Sequence, residues 1–329
     1  MPTVNYNRPL LTVVIPTYNR NEKLRHSIDI LVPQLNEHVI IKVIDNASLT
    51  PVRETLDHHA KNPSVEIIRN QYNVGVSTNL IKCFESCDTE WMWLLGDDDP
   101  PSTDAIDGIL NDLHLNKDCS FLNYKSAMTS NRNESFYTVG IEELINKVDH
   151  FGNLLFISVG VYNLHTLKAD IRLTHQLSYC LAPHLVYLLS AISSNTKVGF
   201  LARRIHDASL HNTSAEESWS WISLSLCFPI LFEIPLDISE RTRNMFANHV
   251  LTHVKSPSDI YELLEQPKYY EIPTSKKRFL LRQIYFRSLL YRGLDKYFLS
   301  FLYYDTKLII KDMFVKREVK NHLERDERL

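Results

Sequence analysis

The sequence predicts an α/β protein with a mostly parallel sheet flanked by helices, followed by a helical C-terminal region. Four short apolar runs, rich in β-branched residues, alternate with segments of helical spacing between residues 10 and 99. Each run ends in a polar loop. From about Trp219 onward the pattern is mostly helical. Strands that alternate with helices form βαβ units, and such units build a parallel sheet.

The elements are predicted in chain order from apolar periodicity and turn residues. The predicted strands are 10–16, 39–44, 65–68, 91–99, 120–124, 156–162 and 197–202. The predicted helices are 21–31, 52–60, 77–84, 103–115 and 142–153, with another that opens at Pro183. Because 329 residues exceed one typical domain, we expect a catalytic domain over 1–215 and a mainly helical region over 216–329.

Composition narrows the class of protein. The net charge of -3 argues against a dedicated nucleic-acid binder. Five cysteines without CxxC spacing favour reduced thiols in a cytosolic protein over a zinc site or a disulfide scaffold. The N-terminus lacks the pattern of a signal peptide, and no apolar run reaches the roughly 20 residues of a membrane-spanning helix. We therefore expect a cytoplasmic protein, soluble or peripheral on the inner membrane face.

The fourth predicted strand ends in Gly96 and three consecutive aspartates, Asp97, Asp98 and Asp99. Unpaired buried carboxylates are costly and repel each other, so a cation is expected to neutralise them. Hard oxygen ligands suit Mg²⁺ or Mn²⁺. Asp45 adds a second carboxylate to the same sheet edge, where open α/β sheets bind ligands. The alternative is a solvated aspartate-rich turn before the next helix. Neither a GxGxxG nor a P-loop motif is present.

Four segments carry a family resemblance: 14–20, 43–48, 70–75 and 94–99. In this order they resemble the donor-binding half of family 2 glycosyltransferases of the GT-A fold. The Leu-Gly-Asp-Asp-Asp ending is similar to that of bacterial enzymes that build O-antigen or capsule sugars. The resemblance implies a nucleoside-diphosphate-sugar donor, with a UDP-sugar favoured, a divalent metal and inversion at the anomeric carbon.

The resemblance also assigns roles to residues. It implies that the nucleotide and its sugar contact Pro16, Thr17, Tyr18, Asn19, Arg20, Asp45, Asn46, Ser48, Asn73, Gly75 and Asp97. Asp45 is expected on the base, typically uracil, and the acidic motif on ribose, metal and diphosphate. The family pattern Leu-Asp-x-Asp-Asp places Gly96 where its first Asp would stand. Asp98 is then expected to be the direct metal ligand and a catalytic residue. Asp97 and Asp99 stay open between the metal, the ribose and a place behind the metal ligands. The expected metal set is Asp98, Asp99 and His206.

The catalytic base departs further from the family pattern. His184 stands where the family has an Asp that takes the acceptor proton, and an imidazole near pKa ~6.5 can serve as base. The alternative is a structural or substrate-orienting histidine. Glu216, Glu217 and Asp207 are the other candidates for the base. His211 is an alternative to His206 at the metal, although a lone histidine is more often a surface or core residue.

The C-terminal segment from Lys276 interleaves basic and aromatic residues at helical spacing. One interpretation is an interfacial helix on anionic lipid, where a lipid-linked acceptor would lie. The other is an amphipathic helix whose aromatics pack on the catalytic domain or on a second subunit of a homo-oligomer.

The leading hypothesis is a metal-dependent, inverting glycosyltransferase that acts on a glycan or lipid-linked glycan in cell-surface polysaccharide synthesis. One alternative is a sugar nucleotidyltransferase, although the first loop lacks the glycines that such enzymes place against a triphosphate. The other is a non-catalytic glycan-binding or scaffold protein on the same sheet.

Overall fold

The computed structural model describes residues 9–207, 221–292 and 297–326. The contacts divide the chain into two compact units. Among the described residues, one unit contains 9–207 and 233–242, and the other contains 221–232 and the residues from 243 onward. The predicted boundary between 215 and 216 lies outside the described residues.

The first unit is built on an eight-stranded sheet with strand order β3-β2-β1-β4-β7-β5-β8-β6. The strands are β1 (Leu11–Thr17), β2 (Val39–Asp45), β3 (Val65–Arg69), β4 (Trp91–Leu94), β5 (Cys119–Asn123), β6 (Phe136–Val139), β7 (Gly160–Asn163) and β8 (Lys197–Phe200). The neighbours β3, β2, β1 and β4 are all parallel, as is the pair β5–β8. The pairs β4–β7, β5–β7 and β6–β8 are antiparallel. The predicted mostly parallel α/β sheet is confirmed.

Helices flank this sheet. They are α1 (Asn21–Leu31), α2 (Val52–Thr55), α3 (Val76–Glu85), α4 (Ala105–Leu115), α5 (Gly140–Lys147), α6 (Phe151–Leu155), α7 (Ile171–Gln176) and α8 (Pro183–Ala191). Beyond residue 220 the helices are α9 (Trp221–Cys227), α10 (Glu240–Leu251), α11 (Pro257–Leu264), α12 (Thr274–Arg292) and α13 (Phe298–Asp326).

Pro16 was predicted to end the first strand, yet β1 continues through it to Thr17. A proline in a central strand normally removes a ladder hydrogen bond. Here the pairing of β1 with β4 stops at Val14 opposite Leu94, whereas Pro16 still lies opposite Ile44 of β2. The missing N–H therefore belongs to the side where β4 has already ended.

The observed elements differ from the predicted ones at several further places. The short edge strand β6 and the helix α7 were not predicted. The predicted strand 156–162 is a 3₁₀ turn at Ile157–Val159 followed by β7. The predicted strand 91–99 ends at Leu94, and the predicted helix 142–153 is broken between α5 and α6. The predicted helix 52–60 keeps its α-helical geometry only through Thr55.

The second unit has its own apolar core, to which α9 through α13 contribute. Tyr285 of α12 stacks on Phe301 of α13 with the ring centroids 4.0 Å apart and the planes nearly parallel. Leu281, Ile284 and Leu308 complete the contact between these two helices. No helix within the described residues is both long enough and apolar enough to cross a bilayer.

Candidate active site

The loops that follow β1 and β2 are fastened to each other at the carboxyl edge of the sheet. The backbone N–H of Asn19 donates to Ser48 Oγ at 2.9 Å, and the N–H of Leu49 donates to Asn19 Oδ1 at 2.7 Å. Asn19 and Ala47 both adopt positive φ, 56° and 61°, which lets each loop turn sharply toward the other. These reciprocal bonds fix the position of the first loop, in which the nucleotide is expected.

Asp45 lies at the end of β2 and is completely buried. Its Oδ1 accepts a hydrogen bond from the backbone N–H of Ser48 at 2.9 Å. Its Oδ2 accepts from the N–H of Val52 at 3.4 Å and forms an ion pair with Arg69 of β3. The Asp45 carboxylate therefore holds the second loop together. Its predicted contact with a nucleobase remains a prediction.

A network of asparagines joins the ends of β2 and β3. Asn46 donates to Asn73 Oδ1 at 2.8 Å and accepts from Asn70 at 3.1 Å and from the N–H of Val74 at 2.9 Å. Asn73 Oδ1 also accepts the N–H of Gly75 at 2.9 Å. Gly75 has a φ of 80°, a conformation that glycine adopts without strain. The predicted residues Asn46, Asn73 and Gly75 thus shape a single amide-lined loop.

The turn after β4 contains Asp97, Asp98 and Asp99, and we call it the acidic turn. It contacts the loop after β1. Thr17 Oγ1 donates to Asp97 Oδ2 at 2.7 Å. One guanidinium nitrogen of Arg20, Nη1, lies 3.2 Å from Asp97 Oδ1 and 3.0 Å from Asp98 Oδ2. The structure therefore brings together four of the predicted site residues around one positive charge.

The two carboxylates differ in exposure. The Asp97 side chain is 7% exposed, and that of Asp98 is 20% exposed. Burial raises the pKa of Asp97 to about 6, and the neighbouring Asp98 carboxylate adds to the rise. Thr17 and Arg20 oppose the shift by stabilising the ionised form. A carboxylate whose charge is incompletely compensated is a favourable place for an additional cation.

Gly96 gives Asp99 its orientation. Asp99 is buried, and its Oδ2 accepts a hydrogen bond of 2.5 Å from Ser158 Oγ, which itself accepts the N–H of Gly96 at 2.9 Å. A Cβ at position 96 would lie 2.6 Å from Asp99 Oδ2. The backbone of Ser158 is fixed in turn, because its carbonyl accepts from Trp93 Nε1 at 2.8 Å. Position 96 is therefore a glycine because the Asp99 carboxylate folds back over it.

His184 is the second residue of α8 and is buried. Burial lowers its pKa to about 4, while the nearby backbone of Leu154 and Leu155 partly offsets the shift. Among the described residues, neither ring nitrogen has a partner at hydrogen-bond geometry. The imidazole is therefore neutral near pH 7, and it lies against the end of α6.

His206 reaches the acidic turn from a later part of the chain. An isolated antiparallel bridge pairs it with Pro101, and the N–H of Asp207 donates to the carbonyl of Pro100 at 2.9 Å. The His206 ring also packs edge-on against Phe156, with centroids 5.1 Å apart. The structure thus places both His206 and Asp207 beside residues that directly follow Asp99.

The acidic turn fits a divalent cation held by few protein ligands. Asp97 Oδ1 and Asp98 Oδ2 already converge on one positively charged nitrogen of Arg20. Mg²⁺ and similar ions are commonly held by one or two carboxylates together with substrate phosphates. Within the described ranges, no group of three His, Cys, Asp or Glu side chains is placed to hold a metal. The predicted set of Asp98, Asp99 and His206 therefore stays a prediction.

The remaining predicted residues are placed as follows. Tyr18 is 42% exposed. His211, Glu216 and Glu217 lie outside the described residues. Two contributors were missed by sequence reasoning: Arg69, the partner of Asp45, and Ser158, the partner of Asp99. Ser158 could have been identified as a candidate because it is the one hydroxyl residue between apolar neighbours in the predicted strand 156–162.

The sheet, with its acidic turn at the carboxyl edge, belongs to the GT-A class. Residues 12–159 match the family model of glycosyl transferase family 2, so the resemblance predicted from the sequence is confirmed for this segment. No curated protein sequence matches the chain.

Solved structures resemble the chain at low sequence identity, and those with a TM-score above 0.5 share its fold. S. aureus TarS 1–349, solved with UDP-GlcNAc, has a TM-score of 0.58 and 10% identity over 86% of this chain and 89% of that one. The same protein solved with UDP has a TM-score of 0.54 and 13% identity over the same shares. Mannosyltransferase PcManGT from Pyrobaculum calidifontis, in complex with GDP-Man and Mn²⁺, has a TM-score of 0.47 and 12% identity, covering 95% of this chain and 89% of that one.

Proposed function

We propose that this protein is an inverting glycosyltransferase that moves a sugar from a nucleoside-diphosphate donor, with a UDP-sugar favoured, to an acceptor hydroxyl. The observation that carries the proposal is the convergence of Asp97 and Asp98 on one positive charge, beside the loop of Tyr18. This turn lies inside the segment that matches glycosyl transferase family 2. TarS, which shares the fold, was solved with UDP-GlcNAc and with UDP.

The chain's own residues would bind and orient the donor. The exposed ring of Tyr18 offers a stacking face for the base, and the fastened loops of Asn19 and Ser48 hold that face in place. Arg20 would attract the diphosphate electrostatically. Its guanidinium lies at the acidic turn, with Nη1 within 3.2 Å of Asp97 and 3.0 Å of Asp98, where the diphosphate is expected to bind, and a guanidinium forms strong charge-assisted hydrogen bonds with phosphate.

Asp97 and Asp98 are the residues that would hold Mn²⁺ or Mg²⁺. When bound, such a metal stabilises the charge that develops on the departing nucleoside diphosphate. The Ser158–Asp99 hydrogen bond and Gly96 would keep the turn in the geometry that directs Asp98 outward. These residues position the carboxylates before the donor arrives.

The base that takes the acceptor proton is proposed to be His184. It is neutral near pH 7, so one of its ring nitrogens has a lone pair that can accept a proton. Its low pKa makes it a weak base, so Asp207 is the second candidate, supported by its backbone contact beside the acidic turn. Substitution of His184 and of Asp207 in separate variants distinguishes the two candidates. Loss of the true base should lower kcat at saturating donor without weakening donor binding.

We further propose that the acceptor is a glycan or lipid-linked glycan in the synthesis of cell-surface polysaccharide such as O-antigen or capsule, on the cytoplasmic side. The resemblance of the Leu-Gly-Asp-Asp-Asp ending supports this setting.

The test is a thermal-shift screen of the full chain with UDP- and GDP-sugars, each with and without Mn²⁺. A donor at about 100 times its Kd should stabilise the native state by about 2.7 kcal/mol. The stabilising donor is then incubated with acceptor fractions, and the released product is identified. Release of the nucleoside diphosphate supports the proposal. Pyrophosphate release from a nucleoside triphosphate would assign a nucleotidyltransferase, and an absence of any nucleotide-dependent shift would overturn both.

A further inference from the structure

Helix α13 is apolar on two opposite sides. One side faces the core of the second unit through Phe301 and Leu308, which are both buried. The other side is exposed and carries large apolar residues, which are Leu299, Leu302, Tyr303, Ile310, Met313 and Phe314. With 100° of rotation per residue, these six fall within about 120° of the helix circumference and extend for about 22 Å. We call this surface the outer face of α13.

Helix α12, which packs against α13, also carries exposed aromatic residues. Phe279 and Phe286 of α12 are seven residues apart, and therefore on the same side of that helix, and both are exposed. Phe286 packs edge-on against Phe301 of α13, with ring centroids 5.4 Å apart. This contact joins Phe286 to the core-facing side of α13, so the outer face consists of its own six residues. Six large exposed apolar side chains on one face of a helix are uncommon on a soluble monomer and indicate an interaction site.

The helix that packs against α13 is positively charged. Helix α12 contains six lysines or arginines and no acidic residue. Arg278 and Arg282 both pair with the single carboxylate of Asp305. Lys277 and Lys311 likewise share the single carboxylate of Glu265. Each of these clusters holds two cations for one anion, so each keeps one net positive charge.

We propose that the outer face of α13 is a docking surface for an anionic lipid bilayer. Large apolar and aromatic side chains enter the boundary between headgroups and acyl chains, while neighbouring cations attract anionic headgroups. A protein partner would also cover apolar surface, but the uniform positive sign of α12 favours a surface of uniform negative charge. This surface is independent of the proposed transfer reaction, so its failure and that of the proposed function are distinguishable.

The experiment is flotation of the purified full chain with vesicles. One set contains phosphatidylcholine alone, and in the other phosphatidylglycerol replaces part of it. We expect flotation with the anionic vesicles, and much less with neutral vesicles or at high salt. Ile310→Ser combined with Met313→Ser should reduce binding at least about tenfold, since two apolar side chains no longer enter the bilayer. Lys276→Gln should reduce it about fivefold, because one charge near an anionic surface contributes about 1 kcal/mol.

The matched control is Leu115→Ser, which removes an apolar side chain of similar exposure from α4 in the first unit. It should float as the unsubstituted protein does. Circular dichroism and thermal unfolding establish that each variant is folded. Unchanged flotation of the Ile310 and Met313 variant, or an absence of binding to anionic vesicles, would overturn the proposal. A dimer in solution that the same two substitutions dissociate, with vesicle binding unaffected, would assign the surface to a second copy of the chain.

Discussion

Two aspartates at the same edge of the sheet are in opposite electrostatic situations. Asp45, after β2, is fully buried and has both oxygens engaged, with two backbone N–H groups and Arg69 as partners. Asp97, after β4, is nearly as buried, but its pKa is raised to about 6. Its partners, Thr17 and an Arg20 side chain that is 32% exposed, do not fully compensate for the lost hydration.

The difference separates a structural carboxylate from one prepared for a ligand. A carboxylate with a complete set of fixed donors gains little from a further cation. A carboxylate with incomplete compensation gains both binding energy and relief of its desolvation cost when a cation arrives. The comparison therefore predicts that substitutions after β2 change stability, whereas substitutions after β4 change ligand binding and activity.

The largest expected effect is the loss of transfer in Asp98→Ala. Removal of the more exposed carboxylate should reduce kcat/KM by about 10³-fold or more, the size seen when a group stabilising transition-state charge is lost. Stability should change little, because the Asp98 side chain is partly solvated. The measurements are nucleoside-diphosphate release and thermal unfolding of the same preparation.

Asp57→Ala provides the control for that experiment. Asp57 is an exposed aspartate of the same unit, paired only with exposed Lys61 among the described ion pairs. Both activity and stability should stay near those of the unsubstituted protein. Full activity in Asp98→Ala would remove the acidic turn from the mechanism.

The second prediction tests whether Asp45 has a structural role. Asp45→Ala should lower the free energy of unfolding by about 4 kcal/mol, since the N–H groups of Ser48 and Val52 and the guanidinium of Arg69 lose their acceptor. Chemical denaturation measures the change. A variant as stable as the unsubstituted protein, but unable to bind a uridine nucleotide, would instead place Asp45 on the base.

The third prediction concerns pH, because two shifted groups act oppositely in one window. The pKa of Asp97 rises from 3.8 to about 6 on folding, so its contribution destabilises the fold as pH increases through that range. The pKa of His184 falls from 6.5 to about 4, so its contribution is present above 6.5 and is lost as pH decreases toward 4. Each shift corresponds to about 3 kcal/mol, and together they nearly cancel.

Single variants should reveal each contribution. His184→Gln leaves Asp97 alone, so stability should increase as pH falls from 7 to 4 relative to the unsubstituted protein. Asp97→Asn leaves His184 alone, so stability should decrease more steeply over the same range. Denaturant unfolding at each pH provides the slopes, and parallel slopes for all three proteins would contradict the assignment. Below pH 6, protonation of Asp97 should also weaken Mn²⁺ binding in the unsubstituted protein.

Much of this arrangement was predictable because its signals are local. The apolar runs that form β1, β2, β3 and β4 can be located from adjacent residues, and so can the polar loops and the three aspartates that follow them. The elements that escaped prediction depend on distant contacts. Strand β6 is short and largely exposed, so its pattern carries little apolar signal. Asp45 became structural through Arg69 on the neighbouring strand, a pairing that register creates and sequence proximity does not.

The smallest expected effect comes from Gly96→Ala. This variant tests whether the hydrogen bond from Ser158 to Asp99 is needed for the geometry of the acidic turn. The new Cβ would lie 2.6 Å from Asp99 Oδ2 and 3.2 Å from Ser158 Oγ, so the carboxylate must move off its hydrogen bond. We expect a loss of about 1 to 2 kcal/mol in stability, typical of overpacking. Ser158→Ala removes the same hydrogen bond without adding a methyl group. If both variants weaken Mn²⁺ binding alike, the Ser158–Asp99 hydrogen bond orients Asp97 and Asp98. If only Gly96→Ala weakens it, the crowding at position 96 is responsible.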